Sequence, residues 1–162
     1  MTEVLDVSTM LPYAFEPVRN NLFLLSIEGI DAFLVKTTKK PSFKMGEIEI
    51  PWMNDKRYLM ARHEYETMSV TLYQAISPGG VQQVMEWVRA HHDTVSGRSG
   101  YAAMYKRDIQ LRQADPIGNV ISLTDIKGAF ITSVGFSDLD YSNTDAGEIT
   151  LEIRFDKAVL QY

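Results

Sequence analysis

The chain reads as an α+β, β-rich domain, an antiparallel β-barrel or sandwich with one flanking helix. Three observations predict this. Apolar residues recur at period two over most of the chain, Gly, Pro, Asn and Asp punctuate the runs as hairpin turns do, and a single segment carries the i, i+3, i+4, i+7 spacing of a helix. With 162 residues, 45% hydrophobic and 23% charged, the composition is that of an ordinary globular protein of one domain. The expected organisation is an N-terminal arm over residues 1–18 and one β domain over 19–162.

The elements follow in order. Met1 to Val18 contains Pro12 and Pro17, with Val4, Leu5, Met10, Leu11, Tyr13 and Phe15 scattered without a period, the pattern of an arm that needs a partner surface. Strands are expected at Asn21 to Ile27 and Ala32 to Thr38, parted by a hairpin turn at Glu28-Gly29. Lys39 to Tyr65 reads as a long hairpin loop around a short strand at Gly46 to Ile50. It mixes Lys39, Lys40, Lys44 and Arg57 with Phe43, Trp52, Met53, Tyr58, Leu59 and Met60, and long loops carrying large apolar side chains are usually functional. The clearest central strand sets Met68, Val70 and Leu72 on one face and Thr67, Ser69 and Thr71 on the other. Ser77 as cap, Pro78 in the first turn and the stripe Val81, Val84, Met85 and Val88 predict a helix over about residues 78–92. Further strands are expected at Met104 to Arg112, Asn119 to Leu123 and Ala129 to Phe136, with a turn at Asp115 to Gly118. In the last strand Ile149, Leu151, Ile153 and Phe155 alternate with Glu148, Thr150, Glu152, Arg154 and Asp156.

Sixteen Lys and Arg against 21 Asp and Glu give a net charge of −5, which offers no cationic footprint for gripping nucleic acid. Zero cysteines remove disulfide frameworks, thiolate metal sites and cysteine nucleophiles. Glu3 and Asp6 precede any basic residue, so the start does not read as a secretion signal, and no apolar run approaches the ~20 residues of a membrane helix. No membrane partner is expected. His91 and His92 point about 100° apart on a helix and cannot share a ligand as an i, i+4 pair does; with Asp93 they read as a helix end. His63-Glu64 has no nucleophile motif to serve. Ser96 to Gly100 lacks the ending of a phosphate-binding loop and reads as a mobile loop. Asp138, Asp140, Asn143 and Asp145 resemble a calcium loop, but Asn143 stands where the turn glycine belongs and Ile149 where the terminal Glu belongs, so the segment reads as a polar hairpin. No catalytic residue, metal ligand set or cofactor site emerges, and no enzyme is expected.

The run Ile126-Lys127-Gly128-Ala129-Phe130-Ile131-Thr132-Ser133-Val134-Gly135, then Leu139-Asp140-Tyr141, an Asn/Asp-rich turn and the strand ending Phe155-Asp156, resembles the C-terminal half of the tail tube proteins of contractile-tailed bacteriophages. Pro51-Trp52-Met53-Asn54-Asp55-Lys56-Arg57 is similar to the proline, aromatic-Met-Asn and basic sequence of that family's long hairpin region. Asn20-Asn21-Leu22-Phe23 matches its early strand, and Trp87 the Trp of its single helix. The resemblance covers about Arg19 to Asp156, and the fold is shared with type VI secretion tubes and phage-like injection particles. It implies a structural subunit that forms hexameric rings, stacked into a hollow tube inside a contractile sheath, which conducts DNA into the host. The implied partners are the chain itself, the sheath protein, the baseplate or tube initiator and the tail terminator, with tape measure protein and genomic DNA held in the lumen without specific binding. The implied location is the virion, after synthesis in the bacterial host cytoplasm. The length leaves no room for the appended domain of a tube initiator. Alternative readings are the tube of a phage-derived injection or type VI-like secretion device, and a small ligand-binding β-barrel.

A channel that passes DNA should not hold phosphate, and a wall of acidic and hydroxyl side chains repels it over the ~8 Å Debye length. The expected lumen residues are Glu47, Glu49, Thr67, Ser69, Thr71, Glu148 and Glu152, with Met68, Val70, Leu72, Ile149, Leu151 and Ile153 packed behind and Lys36 and Arg154 interrupting the acidic wall. The expected inter-ring and inter-subunit residues are Phe15, Phe43, Trp52, Met53, Tyr58 and Leu59.

Overall fold

The computed structural model describes residues 15–162. Its organising element is β7 (Val120–Phe136), a strand of 17 residues shared by two half-sheets. Up to Ala129 it pairs with β6 (Arg107–Ala114) on one side and β9 (Lys157–Leu160) on the other, and β1 (Phe23–Ile27) lies beyond β6. From Phe130 onward it pairs with β8 (Glu148–Arg154), which is followed by β5 (Met68–Tyr73) and β2 (Val35–Thr38). Every pairing is antiparallel, and the path β1-β6-β7-β8-β5-β2 does not close on itself. Of the two expected forms, the chain takes the open sandwich and not the closed barrel.

The change of partner along β7 happens at Gly128, whose φ of +66° suits a residue without Cβ. The β6–β7 register slips beside it, between Arg107 and Ile109, as at a β-bulge, which bends and twists the strand. A Cβ on Gly128 would lie 2.3 Å from Asp156 Oδ2, because β8 turns the same corner into β9 there. Asp156 N–H donates to Lys127 O (3.1 Å), and its carboxylate accepts from Lys106 Nζ at 2.6 Å. Lys127 Nζ in turn donates to Asp108 at 2.7 Å. That hydrogen bond holds the Asp108 carboxyl below its ordinary range and raises Lys127 above its own.

Bending the sheet encloses one core. Met68, Val70 and Leu72 stand opposite Ile153, Leu151 and Ile149 in register, all fully buried, as the alternation predicts. Leu25, Ile27, Ile109, Leu111 and Ile126 close it from the other half. The helix α1 (Gly80–His91) adds Val84 and Trp87, and Trp87 Nε1 donates to Tyr105 O at 2.6 Å, satisfying the one polar atom the indole brings inside.

Several boundaries differ from the expectation for physical reasons. α1 begins two residues after Pro78, and Gly79, not Ser77, stands at its N-cap. At Gly80 the helix passes so close to β5 that a Cβ would lie 3.2 Å from Tyr73 O, and the buried stripe runs Gly80, Val84, Trp87. Ala32–Leu34, expected as strand, is a 3₁₀ turn, η1, anchored at Asp31, which accepts from Gln83 Nε2 at 2.8 Å. Ala102–Tyr105 forms a short helical turn, α2, before β6, held by the Trp87 bond. Glu28-Gly29 does turn the chain, with Gly29 at φ +79°, but β1 pairs with β6 and not with β2. The largest difference is Lys39 to Tyr65. It is a two-stranded ribbon of β3 (Phe43–Trp52) and β4 (Asp55–Tyr65), not a loop. Of the expected arm, residues 1–14 lie outside the described residues, and Phe15, Pro17 and Val18 are exposed.

Gly97 has nearly the same φ as Gly128, +69°, with nothing within 4 Å of its would-be Cβ. Gly97→Ala should therefore cost only backbone strain, about 1 kcal/mol, whereas Gly128→Ala should cost at least about 2 kcal/mol because Asp156 must also move. Urea denaturation of both variants checks this; equal losses would remove the corner contact from the account. The Asp108 and Lys127 pair also predicts a pH profile. A lowered carboxyl stabilises above its unfolded value and loses that contribution as pH falls through the folded one, while a raised lysine stabilises below its unfolded value and loses it as pH rises through the folded one. The melting temperature should be flat between roughly pH 5 and 9 and fall outside that window, and Asp108→Asn should flatten the acid limb.

Candidate functional site

Two surfaces of the fold have no internal purpose. The first is the outer face of the β7–β8–β5–β2 half-sheet. Since Met68, Val70, Leu72, Ile149, Leu151 and Ile153 point into the core, the alternate residues of β5 and β8 share the opposite face. The register sets Ser69 beside Glu152, Thr71 beside Thr150 and Tyr73 beside Glu148, with Ser133 of β7 next to Glu152 and Thr37 of β2 next to Thr71. Thr67, one residue before β5, continues the row. Five of the seven expected lumen residues, Thr67, Ser69, Thr71, Glu148 and Glu152, thus come together on one face. Glu47 and Glu49 do not: both lie on β3 in the ribbon, where Glu49 pairs with Lys56 at 2.7 Å.

The sign of this face is milder than its acidic residues imply. Glu148 accepts from Lys36, a hydrogen bond that raises the Lys36 pKa, and Lys36 also sits 5.6 Å from the Tyr73 ring centroid. Arg154 is tied to Glu64 at 2.7 Å. Among the described residues Glu152 alone of these four charges has no ion-pair partner, and what remains is a hydroxyl-rich, weakly acidic surface.

The second surface is the ribbon. Glu47, Glu49 and Pro51 alternate with Ile48, Ile50 and Trp52, and pairing sets Leu59 opposite Ile48 and Arg57 opposite Ile50. One face therefore carries Ile48, Ile50, Trp52 and Leu59 with Arg57 and Asp55, and the other carries Tyr58 and Met60 with Glu47, Glu49 and Lys56. Every residue of β3 is exposed, Trp52 at 71% and Met53 at 93%, and the two-residue tip is made by Met53 with φ +52°. At the base, Phe43 packs edge-on against Tyr65 and Tyr65 against Phe155. Ser42 Oγ donates to Glu66 at 2.8 Å with Lys39 at 3.6 Å, which together lower the Glu66 pKa. Of the expected contact residues, Phe43 closes the base, Trp52, Met53, Tyr58 and Leu59 lie along the ribbon, and Phe15 stands exposed at the first described position.

The half-sheet also has two open edges. Residues 130–136 of β7 pair only with β8, and β2 only with β5, so each leaves a row of backbone donors and acceptors unmatched within the described residues. Sequence reading placed both strands but not their edges, since which strand ends a sheet is decided by pairing and not by residue type. The chemically suggestive residues take structural parts. His63 and His91 pack edge-on against Tyr65 and Tyr105, and Asp93 accepts from Val95 and Ser96 N–H groups, folding Ser96 to Gly100 into a turn closed by the His92–Ser99 bridge. Asp138 to Gly147 joins β7 to β8 as a polar hairpin.

No family model matches the chain. The tail tube protein of Serratia phage KSP90 is 27% identical over 128 residues, spanning 78% of this chain and 72% of that protein. A chain in the cryo-EM structure of the anti-feeding prophage cap, an AFP tube terminating cap, superposes with a TM-score of 0.75 at 12% identity, covering 97% of this chain and 99% of that one. A chain of an extracellular contractile injection system, the PVC sheath-tube complex in its extended state, gives 0.67 at 15% identity, with coverage of 98% and 99%. At these identities the structural likeness establishes the fold. The chain is therefore similar in sequence to a phage tail tube protein and has the fold found in the tubes of contractile injection systems.

Proposed function

We propose that this chain is the repeating structural subunit of a phage tail tube, forming hexameric rings that stack into a hollow conduit for DNA inside a contractile sheath. The observation that carries the reading is the pair of open edges. The half-sheet has four strands in strictly alternating direction, so its two edge strands, β7 and β2, run oppositely. A copy rotated about an axis along the strands brings its β7 edge beside the β2 edge of its neighbour as a further antiparallel pair. The contact is heterologous, and it closes into a ring when the rotation does. Six copies would join about twenty-four strands at ~4.8 Å spacing, a wall roughly 115 Å around and about 37 Å across between backbones. The polar row Thr67, Ser69, Thr71, Glu148 and Glu152 lines its inside, and the apolar core and α1 lie outside it. The role is non-enzymatic, the location is the virion tail, and the partners are the sheath, baseplate and terminator proteins, with tape measure protein and DNA passing through.

The solved structures of similar fold support a second reading of the same subunit, the tube of a contractile injection device. A ligand-binding barrel loses ground, because the sheet is open and its interior is filled by the core.

Replacing Trp52 and Met53 together with Ser should leave a folded subunit by circular dichroism yet abolish tubes in negative-stain images, since both side chains lie outside the core. Tubes of ordinary length from that variant would remove the ribbon from assembly. Glu152→Lys should still assemble, because the side chain enters no core, but its tubes should retain duplex DNA in a filter-binding assay, with retention falling as salt rises. A Glu152→Lys tube that binds no more DNA than the native one would take Glu152 off the lumen wall.

A further inference from the structure

We infer that Phe33 of one copy plugs the groove between α1 and β7 of its neighbour in the ring and thereby sets the register in which the two edges pair. This rests on the ring reading and names the side chain that keys one edge to the other. The pairings across the half-sheet place its two edges level by level. Val35 of β2 stands beside Leu72, Leu72 beside Ile149 and Ile149 beside Phe136 of β7; Thr38, Val70, Leu151 and Val134 make a second such row. A neighbour brought up without offset therefore sets its Val35 against Phe136 and its Thr38 against Val134. Backbone bonds alone do not enforce that choice, because an antiparallel edge offers the same donors and acceptors to a partner slipped by two residues.

The side chains beside the two edges do enforce it. Phe33 is 69% exposed although Leu34 next to it is buried, so η1 turns one large apolar side chain into the core and the other away from it. η1 lies on the helix side of the sheet, where Asp31 is bound to Gln83 of α1, and it ends directly before Val35. At the other edge, Val134 and Phe136 stand beside the buried Leu151 and Ile149 and so share the helix side. There Met85, Val88 and His91 of α1 and Phe130, Val134 and Phe136 of β7 line an open groove of about 540 Å³, roomy enough for an aromatic ring. Among the described residues no carboxylate, lysine or arginine lines it. Knob and groove thus share a side of the sheet and a level along the strands, on opposite edges. One chain cannot bring them together, because the four strands stand between them; a second copy paired edge to edge does. A slip of two residues would carry Phe33 roughly 7 Å along the groove, away from the Phe136 end, so the aromatic anchor selects one register.

Two experiments test it, both on the full-length chain. Phe33→Ser removes a side chain that contributes nothing to the core. It should leave the melting curve of the unassembled subunit unchanged yet raise the concentration at which rings form by at least about tenfold in sedimentation velocity, while Phe33→Leu keeps rings near the native concentration. Rings from Phe33→Ser at the native concentration would overturn the inference and leave the ring reading intact, whereas native chain that forms no rings would overturn the ring reading itself. The absence of cysteine makes the second experiment clean. Ala32→Cys and Ser137→Cys place small thiols on the two sides of the contact. Rings of this double variant treated with a short bismaleimide should give a ladder of linked chains on a denaturing gel that ends at the hexamer, because the contact closes. Each single variant should run as monomer, since like cysteines stand a whole subunit apart. A double variant that forms rings without a ladder, or a ladder that continues past six chains, would overturn the inference.

Discussion

The bend of β7 at Gly128 is the constraint on which the remaining architecture rests. A flat sheet would leave its apolar side open to water; one strand that turns a corner puts the two halves of the sheet face to face over a shared core. The turn needs a residue with positive φ and no side chain, because β8 rounds the same corner and brings the Asp156 carboxylate into the space a Cβ would fill. The ion pairs Lys106–Asp156 and Lys127–Asp108 then tie the bent strands together from outside. With the corner fixed, the β7–β8–β5–β2 half is left with one buried face, one polar face and two unmatched edges, and those three properties are what a tube wall requires.

The ribbon obeys a different physics. An isolated two-stranded hairpin is marginally stable in water, and this one exposes both faces beyond an aromatic base formed by Phe43, Tyr65 and Phe155. Its apolar face has no counterpart within the described residues of its own chain. Its two strands pair with one another and with no other strand among the described residues.

Legibility in the sequence followed burial. β5 and β8 were plain because one face is fully buried and the other polar, which writes period two directly into Met68-Ser69-Val70-Thr71-Leu72 and Ile149-Thr150-Leu151-Glu152-Ile153. β4 was illegible for the converse reason: Asp55 to Tyr65 has no buried face to enforce alternation, and Tyr58, Leu59 and Met60 run consecutively across both sides of the ribbon. Ala32–Leu34, and Met104 and Tyr105 of the turn Ala102–Tyr105, misread as strand because their conformation is imposed from a distance, by Gln83 on Asp31 and by Trp87 on Tyr105. The polar face was half legible: the row on β5 and β8 could be paired by periodicity, while Glu47 and Glu49 shared its chemistry and not its sheet. The neutralisation of Glu148 by Lys36, 112 positions apart in sequence, could not be seen at all.

The even number of strands in the half-sheet restricts how such a subunit can vary. Adding or losing a single strand would leave the two edges running in the same direction, and a neighbour brought up by simple rotation would then have to form a parallel pair, with slanted bonds in place of perpendicular ones. Growth or shrinkage of the wall by whole hairpins preserves the alternation. In a ring built as proposed, the number of strands in the wall therefore changes by two per subunit or by one subunit per ring, and finer adjustment of the bore is left to strand tilt.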